Sequence, residues 1–195
     1  MSDRRDLALI ADLVPHGARV LDLGCGNGEL LALLRDRKGC TGYGIDSADA
    51  NVHACVQRGV NVIQLNLDEG LALFDDASFD VVLQLDTLQH LRNTAHMLRE
   101  TARVGRIGIV SFPNFAHWPN RVRVASGRMP VTRTLPYEWY DTPNIRVGTY
   151  ADFEVLAGKT GLTVTDSFGL HGGRIVRRWP NLLASVAVFR FERAS

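Results

Sequence analysis

The chain has 195 residues, of which 46% are hydrophobic, and a formal net charge of +1 at pH 7. This length suits a single well-buried domain covering residues 1–195, and the near-neutral charge argues against binding of nucleic acid over the whole surface. The sequence shows neither a secretory signal nor an apolar run of membrane-spanning length. We therefore predict a cytoplasmic protein with no membrane association.

Neither a metal centre nor a disulfide framework is predicted. The cysteines are odd in number, far apart and without a Cys-x-x-Cys pair, and the histidines show no ligand spacing. Free thiols are typical of the reducing cytoplasm. The residues concerned are Cys25, Cys40, Cys55, His16, His53, His90, His96, His117 and His171.

The most informative stretch follows a short amphipathic helix predicted at 7–14. Branched residues at 20–23 predict a buried strand, and the leucine-rich stretch at 29–34 predicts a helix. Gly24, Gly26 and Gly28 lie between them and predict a strand-to-helix turn. Glycines permit a positive φ and a closely approaching ligand, and the amides of the first helical turn point at that ligand. The arrangement is typical of a site for a nucleotide-type ligand.

Asp22, two residues before the first glycine, narrows the class of ligand. The third glycine comes one residue earlier than in the Gly-x-Gly-x-x-Gly fingerprint of dinucleotide sites, and an aspartate would repel a pyrophosphate. The same carboxylate would attract the ammonium of S-adenosylmethionine, which carries no phosphate. We therefore predict a pocket for S-adenosylmethionine or S-adenosylhomocysteine.

A second acid, Asp46, ends the next predicted strand at 41–46. It lies about 20 residues after the turn, where a ribose-binding carboxylate is expected. Ser47 is predicted to cap the following helix, which runs to about Arg58. In the alternative interpretation, the glycines form an ordinary tight turn and Asp46 simply caps that helix.

Further strands are predicted at 60–65, 79–85, 107–111, 162–164 and 185–191, with capped helices after Asn93 and Thr149. The alternation predicts an α/β fold with a doubly wound, mostly parallel seven-stranded sheet and an antiparallel last strand. Ligands of such sheets bind at the carboxyl ends of the strands, so these ends define one crevice.

Residues 22–28, Asp-Leu-Gly-Cys-Gly-Asn-Gly, resemble the first motif of class I S-adenosylmethionine-dependent methyltransferases. The chain is more specifically similar to the MetW family of methionine-biosynthesis proteins, and the stretch most particular to that family is the aromatic one at 135–144. The resemblance implies a homoserine O-acyltransferase (MetX) as partner and S-adenosylmethionine as a feedback ligand. It extends from near residue 7 to about 170 and rests on 19–34, 42–44, 58–64, 68–71, 110–115 and 135–144.

The resemblance also implies an adenine contact at the end of the third strand. Asn66, with the following backbone amide, is one candidate and Asp68 is the other, although either could equally be a turn residue. The predicted cofactor site comprises Asp22, Gly24, Cys25, Gly26, Asn27, Gly28, Asp46, Ser47, Asn66, Leu67 and Gln84.

Residues 112–148 interleave aromatic side chains with arginines. A connection of this length is usually functional, either as a lid over a cleft or as a surface for a partner. The alternatives are packing on the sheet edge and contacts with nucleic acid, and the near-neutral overall charge argues against the latter. A second cluster, Arg174, Arg177, Arg178 and Trp179, is placed in a loop before the last strand and has the same ambiguity.

No fixed catalytic set is predicted, because methyl transfer from a sulfonium mainly requires positioning of the acceptor and exclusion of water. His90 is the candidate base, with a structural hydrogen bond as the alternative. Two functions are therefore the main alternatives, and methylation of nucleic acid is a third, against which the near-neutral charge argues. The first is an accessory protein that binds the cofactor and regulates MetX, and the second is a methyltransferase acting on a small molecule.

Overall fold

The computed structural model describes residues 4–194, and a single mixed sheet forms its centre. The strands are β1 (Arg19–Leu23), β2 (Thr41–Asp46), β3 (Val62–Gln64), β4 (Phe79–Leu85), β5 (Gly105–Pro113), β6 (Leu162–His171), β7 (Arg174–Val176) and β8 (Val186–Arg193). They lie in the order β3-β2-β1-β4-β5-β8-β6-β7. Strands β1 to β5 pair in parallel, and β8 pairs antiparallel with β5 and β6. The predicted α/β class and the antiparallel last strand are confirmed.

The sheet has eight strands rather than the predicted seven. The additional strand, β7, returns antiparallel along β6 after Gly172 and Gly173, whose φ values are 57° and 73°. Positive φ at both turn residues is the geometry of a tight hairpin. Arg174 therefore lies in a strand and not in the predicted loop.

Seven helices are described, namely α1 (Arg4–Asp12), α2 (Glu29–Lys38), α3 (Asp49–Gln57), α4 (Thr94–Val104), α5 (Trp118–Ala125), α6 (Tyr150–Lys159) and α7 (Pro180–Leu183). Two predicted caps are confirmed, because Asn93 accepts a hydrogen bond from the His96 amide and Thr149 accepts one from the Asp152 amide. The predicted cap at Ser47 is wrong, since α3 begins after Ala48. Within residues 4–194, no helix combines the length and apolar content needed to cross a membrane.

Apolar side chains cover both faces of the sheet. Val20 and Leu21, neighbours in β1, are both fully buried but belong to two different clusters, because successive side chains of a strand point to opposite faces. Val20 shares its cluster with Ile10 of α1, and Leu21 shares the other with Leu98 of α4 and Phe153 of α6. Each such burial contributes about 1.5–3 kcal/mol. A sheet covered on both faces explains the continuous apolar runs in β1 and β4.

The segment 112–148 begins inside the core. Phe112 is 4% exposed and stacks on Phe189, with 6.1 Å between ring centroids. The far end of the segment is tied to the turn after β4, because the amides of Ile145 and Arg146 both donate to the carbonyl of Gln89. The segment is therefore anchored at both ends by contacts with the sheet and its loops.

Candidate functional site

The turn between β1 and α2 contains three glycines in the left-handed region. Gly24, Gly26 and Gly28 have φ values of 76°, 54° and 76°, which residues with a Cβ adopt at a cost. A Cβ on Gly24 would stand 2.5 Å from Oγ1 of Thr87, and one on Gly28 would stand 2.9 Å from Sγ of Cys55. A Cβ on Gly26 would meet nothing within 4 Å. The turn therefore packs tightly at its two ends and leaves open space at its centre.

Asp46 ties this glycine turn to β2. Its Oδ2 accepts a hydrogen bond from the Gly26 amide at 2.9 Å, and its Oδ1 accepts from the Ala48 amide at 3.0 Å and from the Asn51 side chain at 3.1 Å. A carboxylate offers about four acceptor positions. Asp46 thus stands beside the turn with capacity left for a ligand hydroxyl, and its contact with a ribose stays a prediction.

Asp22 is the buried acid of the site. Its side chain is almost inaccessible, and Oδ1 has no hydrogen-bond partner among the described residues. Burial, and after it the charge of Asp46, raises the pKa of Asp22 to about 7. An unpaired buried carboxylate is unfavourable, and a ligand ammonium beside it would remove the penalty. The residues of this crevice therefore fit S-adenosylmethionine, whose amino-acid tail carries an ammonium.

The two cysteines of the site are held in the protonated thiol form, which is a poor nucleophile. Cys25, in the glycine turn, and Cys55, in α3, have their sulfur atoms 3.8 Å apart, and Cys55 also lies 3.3 Å from the Gly26 carbonyl. Burial is the main cause that raises the pKa of both thiols. Among residues 4–194, no group of three or more His, Cys, Asp or Glu side chains could hold a metal ion.

The residues assigned to the adenine have structural partners. Asn66 caps the short 3₁₀ turn Leu67–Glu69 by accepting a hydrogen bond from the Asp68 amide. Asp68 in turn accepts one from the Arg92 amide at 3.0 Å. Both candidates for the adenine contact therefore act as turn residues, and their role towards a cofactor stays a prediction.

The remaining predicted site residues lie in different environments. Asn27 and Ser47 are exposed at the crevice, and Asn27 accepts a hydrogen bond from the Glu29 amide. Gln84 is fully buried and donates to the Thr101 hydroxyl of α4, so a cofactor contact would require its amide to leave Thr101. The Nδ1 atom of His90, the candidate base, lies 3.1 Å from the carbonyl oxygen of Pro143. This ring nitrogen is therefore in contact with the segment 112–148.

Thr87 is a residue of the site that sequence reasoning missed. Its hydroxyl donates to the Leu23 carbonyl at 2.8 Å, and the side chain packs against Gly24. Thr87 directly follows Asp86, which has a φ of 52° and whose pKa is raised mainly by burial. A polar residue just after a strand's carboxyl end was the available signal, since loops there contribute to the ligand site.

The glycine turn, the two acids and the sheet order define a chain of the class I S-adenosylmethionine-dependent methyltransferase superfamily. A solved structure of the complex between the Haloferax volcanii Trm112 methyltransferase activator and the putative methyltransferase contains a chain with the same fold, at a TM-score of 0.72 and 18% identity. That similarity covers 97% of this chain and 89% of the other. Within this superfamily the chain belongs to the MetW family, because the family model "Methionine biosynthesis protein MetW" matches residues 4–191.

The sequence is also similar to two curated proteins. The bifunctional methionine biosynthesis protein MetXA/MetW of Rhodopirellula baltica is 38% identical over 198 residues, which are 94% of this chain and 32% of the relative. A probable S-adenosylmethionine-dependent methyltransferase of Mycobacterium tuberculosis is 33% identical over 80% of this chain and 57% of its own length. The chain thus spans only about a third to just over half of the length of these relatives.

Proposed function

We propose that this chain is a cytoplasmic accessory protein of methionine biosynthesis that binds S-adenosylmethionine or S-adenosylhomocysteine and regulates a homoserine O-acyltransferase (MetX). The proposal rests mainly on the Rhodopirellula baltica relative, whose name joins MetXA to MetW. The match to this relative covers 94% of the present chain. Joining two parts in one chain holds them at a high effective concentration, which favours their association.

The crevice supports the ligand part of this proposal. Asp22 offers a buried carboxylate with one unpaired oxygen for an ammonium, Gly26 leaves space for the ligand, and Asp46 beside the turn can accept a hydrogen bond from a ribose hydroxyl. S-adenosylmethionine is made from methionine, so a protein of methionine biosynthesis that binds it would respond to the product of its own pathway. The ligand therefore acts as a feedback signal in this proposal.

The segment 112–148 supports the partner part. Trp118, Trp139 and Tyr140 are 52%, 70% and 72% exposed, whereas aromatic residues and arginines are enriched in the cores of protein interfaces. The segment carries five arginines against Glu138 and Asp141. We assign it as the surface that contacts the acyltransferase, at an acidic and partly apolar face of that enzyme.

The acylation rate of homoserine tests the proposal directly. The acyltransferase of the same organism is assayed with and without this protein, each at zero and at saturating S-adenosylmethionine. We expect the protein to raise the rate and the ligand to reduce that rise. A rate that changes with neither addition would overturn the regulatory function.

Ligand binding is tested separately by calorimetry with S-adenosylhomocysteine. Asp22→Ala removes the carboxylate and Gly26→Val fills the open space of the turn, so we expect each to weaken binding at least about tenfold. Gly127→Val is the matched control, because Gly127 also has a positive φ, 79°, and an open Cβ position but lies outside the crevice. Equal affinity in all four proteins would remove the cofactor assignment.

A second candidate function is methyl transfer to a small molecule. It is favoured by the names of relatives such as the ubiquinone biosynthesis O-methyltransferase of Maricaulis maris, which is 35% identical over 48% of this chain. Bound S-adenosylmethionine would supply an activated methyl group there. Transfer of label from methyl-labelled S-adenosylmethionine into a metabolite extract distinguishes this function from the accessory one.

A further inference from the structure

A cavity of ≈ 360 Å³ lies between the segment 112–148 and the helices α4 and α6. Its volume falls within the range of small-molecule sites, about 300–1,000 Å³. Its walls are mainly apolar and include Leu88, Phe112, Phe115, Leu135, Phe153 and Leu156. Such a cavity suits a ligand with an apolar body.

The polar part of the lining is predominantly positive. Arg92 and Arg146 belong to it, and so do the first residues of α4 and the cap of α6. The N-terminus of a helix carries a partial positive charge that favours anions. Two acids oppose this charge: Asp152 accepts a hydrogen bond from the Thr149 hydroxyl at 2.7 Å, and Asp68 pairs with Arg92 at 3.6 Å. With Arg92 paired to Asp68, Arg146 and the two helix ends remain as positive groups against Asp152.

Two polar groups of the lining residues are not used by the protein itself. Oε1 of Gln89 and Oγ1 of Thr94 are buried and have no hydrogen-bond partner among the described residues. Buried polar atoms of folded proteins normally have a partner, and an exception calls for an explanation such as a bound water, ion or other ligand. Of the two, the Thr94 hydroxyl can donate to an anion, whereas the Gln89 oxygen only accepts and would need a donor group on the ligand.

The cavity is separate from the crevice at the glycine turn. Between them lies the short 3₁₀ turn Leu88–His90. On one side of it Thr87 contacts Leu23 and Gly24, and on the other side Leu88 and Gln89 line the cavity. The two spaces share this turn as a common wall.

We propose that the cavity is a second small-molecule site, which binds an organic monoanion with an apolar body, such as an aromatic or branched-chain carboxylate. Because Leu135 and Arg146 form part of its wall, a bound ligand contacts the same segment that carries Trp139 and Tyr140 at the surface. The site does not depend on the acyltransferase or on occupation of the crevice.

The test uses two fluorescent dyes with the same apolar body on the full chain. 8-Anilinonaphthalene-1-sulfonate is a monoanion, and N-phenyl-1-naphthylamine is uncharged. We expect the anionic dye to bind at one site per chain, and more tightly than the neutral dye. We also expect saturating S-adenosylhomocysteine not to displace it. Displacement would place the dye in the crevice and overturn the proposal.

Matched variants locate the dye. Ala95 is the second residue of α4 and lines the cavity, whereas Ala151 is the second residue of α6 and is exposed outside its lining. Ala95→Trp should fill the cavity and weaken dye binding about tenfold, and Ala151→Trp should leave it unchanged. Leu135→Trp replaces Ala95→Trp if that variant fails to fold. Equal dye affinity in the filled and control variants would overturn the proposal.

Arg146→Gln tests the charge preference. We expect it to weaken the anionic dye about fivefold and to leave the neutral dye unchanged, because only the former gains from the guanidinium. Equal effects on both dyes would contradict an anion site. None of these measurements involves the acyltransferase, so their failure is distinguishable from a failure of the accessory function.

Discussion

Asp22 shows how one residue connects the stability of this protein to its proposed ligand. Burial of its carboxyl, and after it the charge of Asp46, raises its pKa from 3.8 to about 7. Between these two pH values the folded protein binds more protons at Asp22 than the unfolded chain does. The stabilisation from Asp22 is therefore fully present below about pH 4 and is lost as the pH rises through about 7.

The substitution Asp22→Asn should remove this cost. We expect the variant to be more stable than the natural protein at pH 8, by up to about 4 kcal/mol, because an amide pays no penalty for burial of a charge. The difference should shrink as the pH falls towards 4. Thermal unfolding at pH 5 and pH 8 measures it.

Asp36→Asn is the matched control for this prediction. Asp36 is exposed, and its hydrogen bond with Arg35 lowers its pKa. Asp36→Asn should therefore lower the stability at pH 8, and by less than Asp22→Asn raises it. The same Asp22→Asn protein should bind S-adenosylhomocysteine more weakly. An Asp22→Asn protein that is no more stable at pH 8 would show that the carboxylate is satisfied in solution.

At the scale of elements, local signals predicted most of the fold. The capping box of Thr149 and Asp152 and the glycine turn were recognisable because they rest on contacts between near neighbours in sequence. Strand β6 was predicted too short, because the polar residues Thr165 and Asp166 interrupt the apolar pattern of a strand that continues along β8. The Gly172-Gly173 signal for the hairpin was present and was missed.

Orientation within buried strands could not be predicted from the sequence. Gln84 lies in β4, whose apolar run continues on both faces of the sheet, so alternation gives no indication of which face a residue occupies. Its hydrogen bond is with Thr101 of α4, a residue 17 positions away along the chain. Asp22 and Asp46, by contrast, follow from position alone, because parallel strands end at one edge.

The segment 112–148 is the element on which the partner proposal depends. Trp139 and Tyr140 form an edge-to-face pair at the surface, with 5.6 Å between ring centroids. We expect the double substitution Trp139→Ala and Tyr140→Ala to weaken binding to the acyltransferase by at least about 2 kcal/mol. The folded chain itself should lose little stability, since both rings are largely exposed.

Surface plasmon resonance against the immobilised acyltransferase measures this effect. Trp179→Ala is the control, because Trp179 is similarly exposed, at 63%, but lies before α7 and outside the segment. A control that weakens binding as much as the double variant would show that the segment has no special part in docking. Unchanged binding in both would contradict the assignment of this segment as the docking surface.

At the scale of the whole molecule, the crevice and the segment meet at the turn after β4. Thr87 packs on Gly24, His90 lies beside the Pro143 carbonyl, and Gln89 accepts two amides of the segment. A ligand that moves this turn therefore changes contacts of both the crevice and the segment 112–148. Coupling of this kind requires that the ligand binds the two states of the protein with different affinity.

The proposed feedback can be tested through its reciprocity. If S-adenosylmethionine weakens the complex with the acyltransferase by some factor, about 5- to 150-fold for typical coupling, then the acyltransferase must weaken S-adenosylmethionine binding by the same factor. We expect calorimetry of each ligand in the presence and absence of the other to give equal factors. In Gly26→Val, where the crevice is filled, the affinity for the acyltransferase should no longer respond to S-adenosylmethionine. A complex whose affinity is the same with and without the ligand in the natural chain would exclude feedback through the crevice, while a stable complex would still support the accessory function.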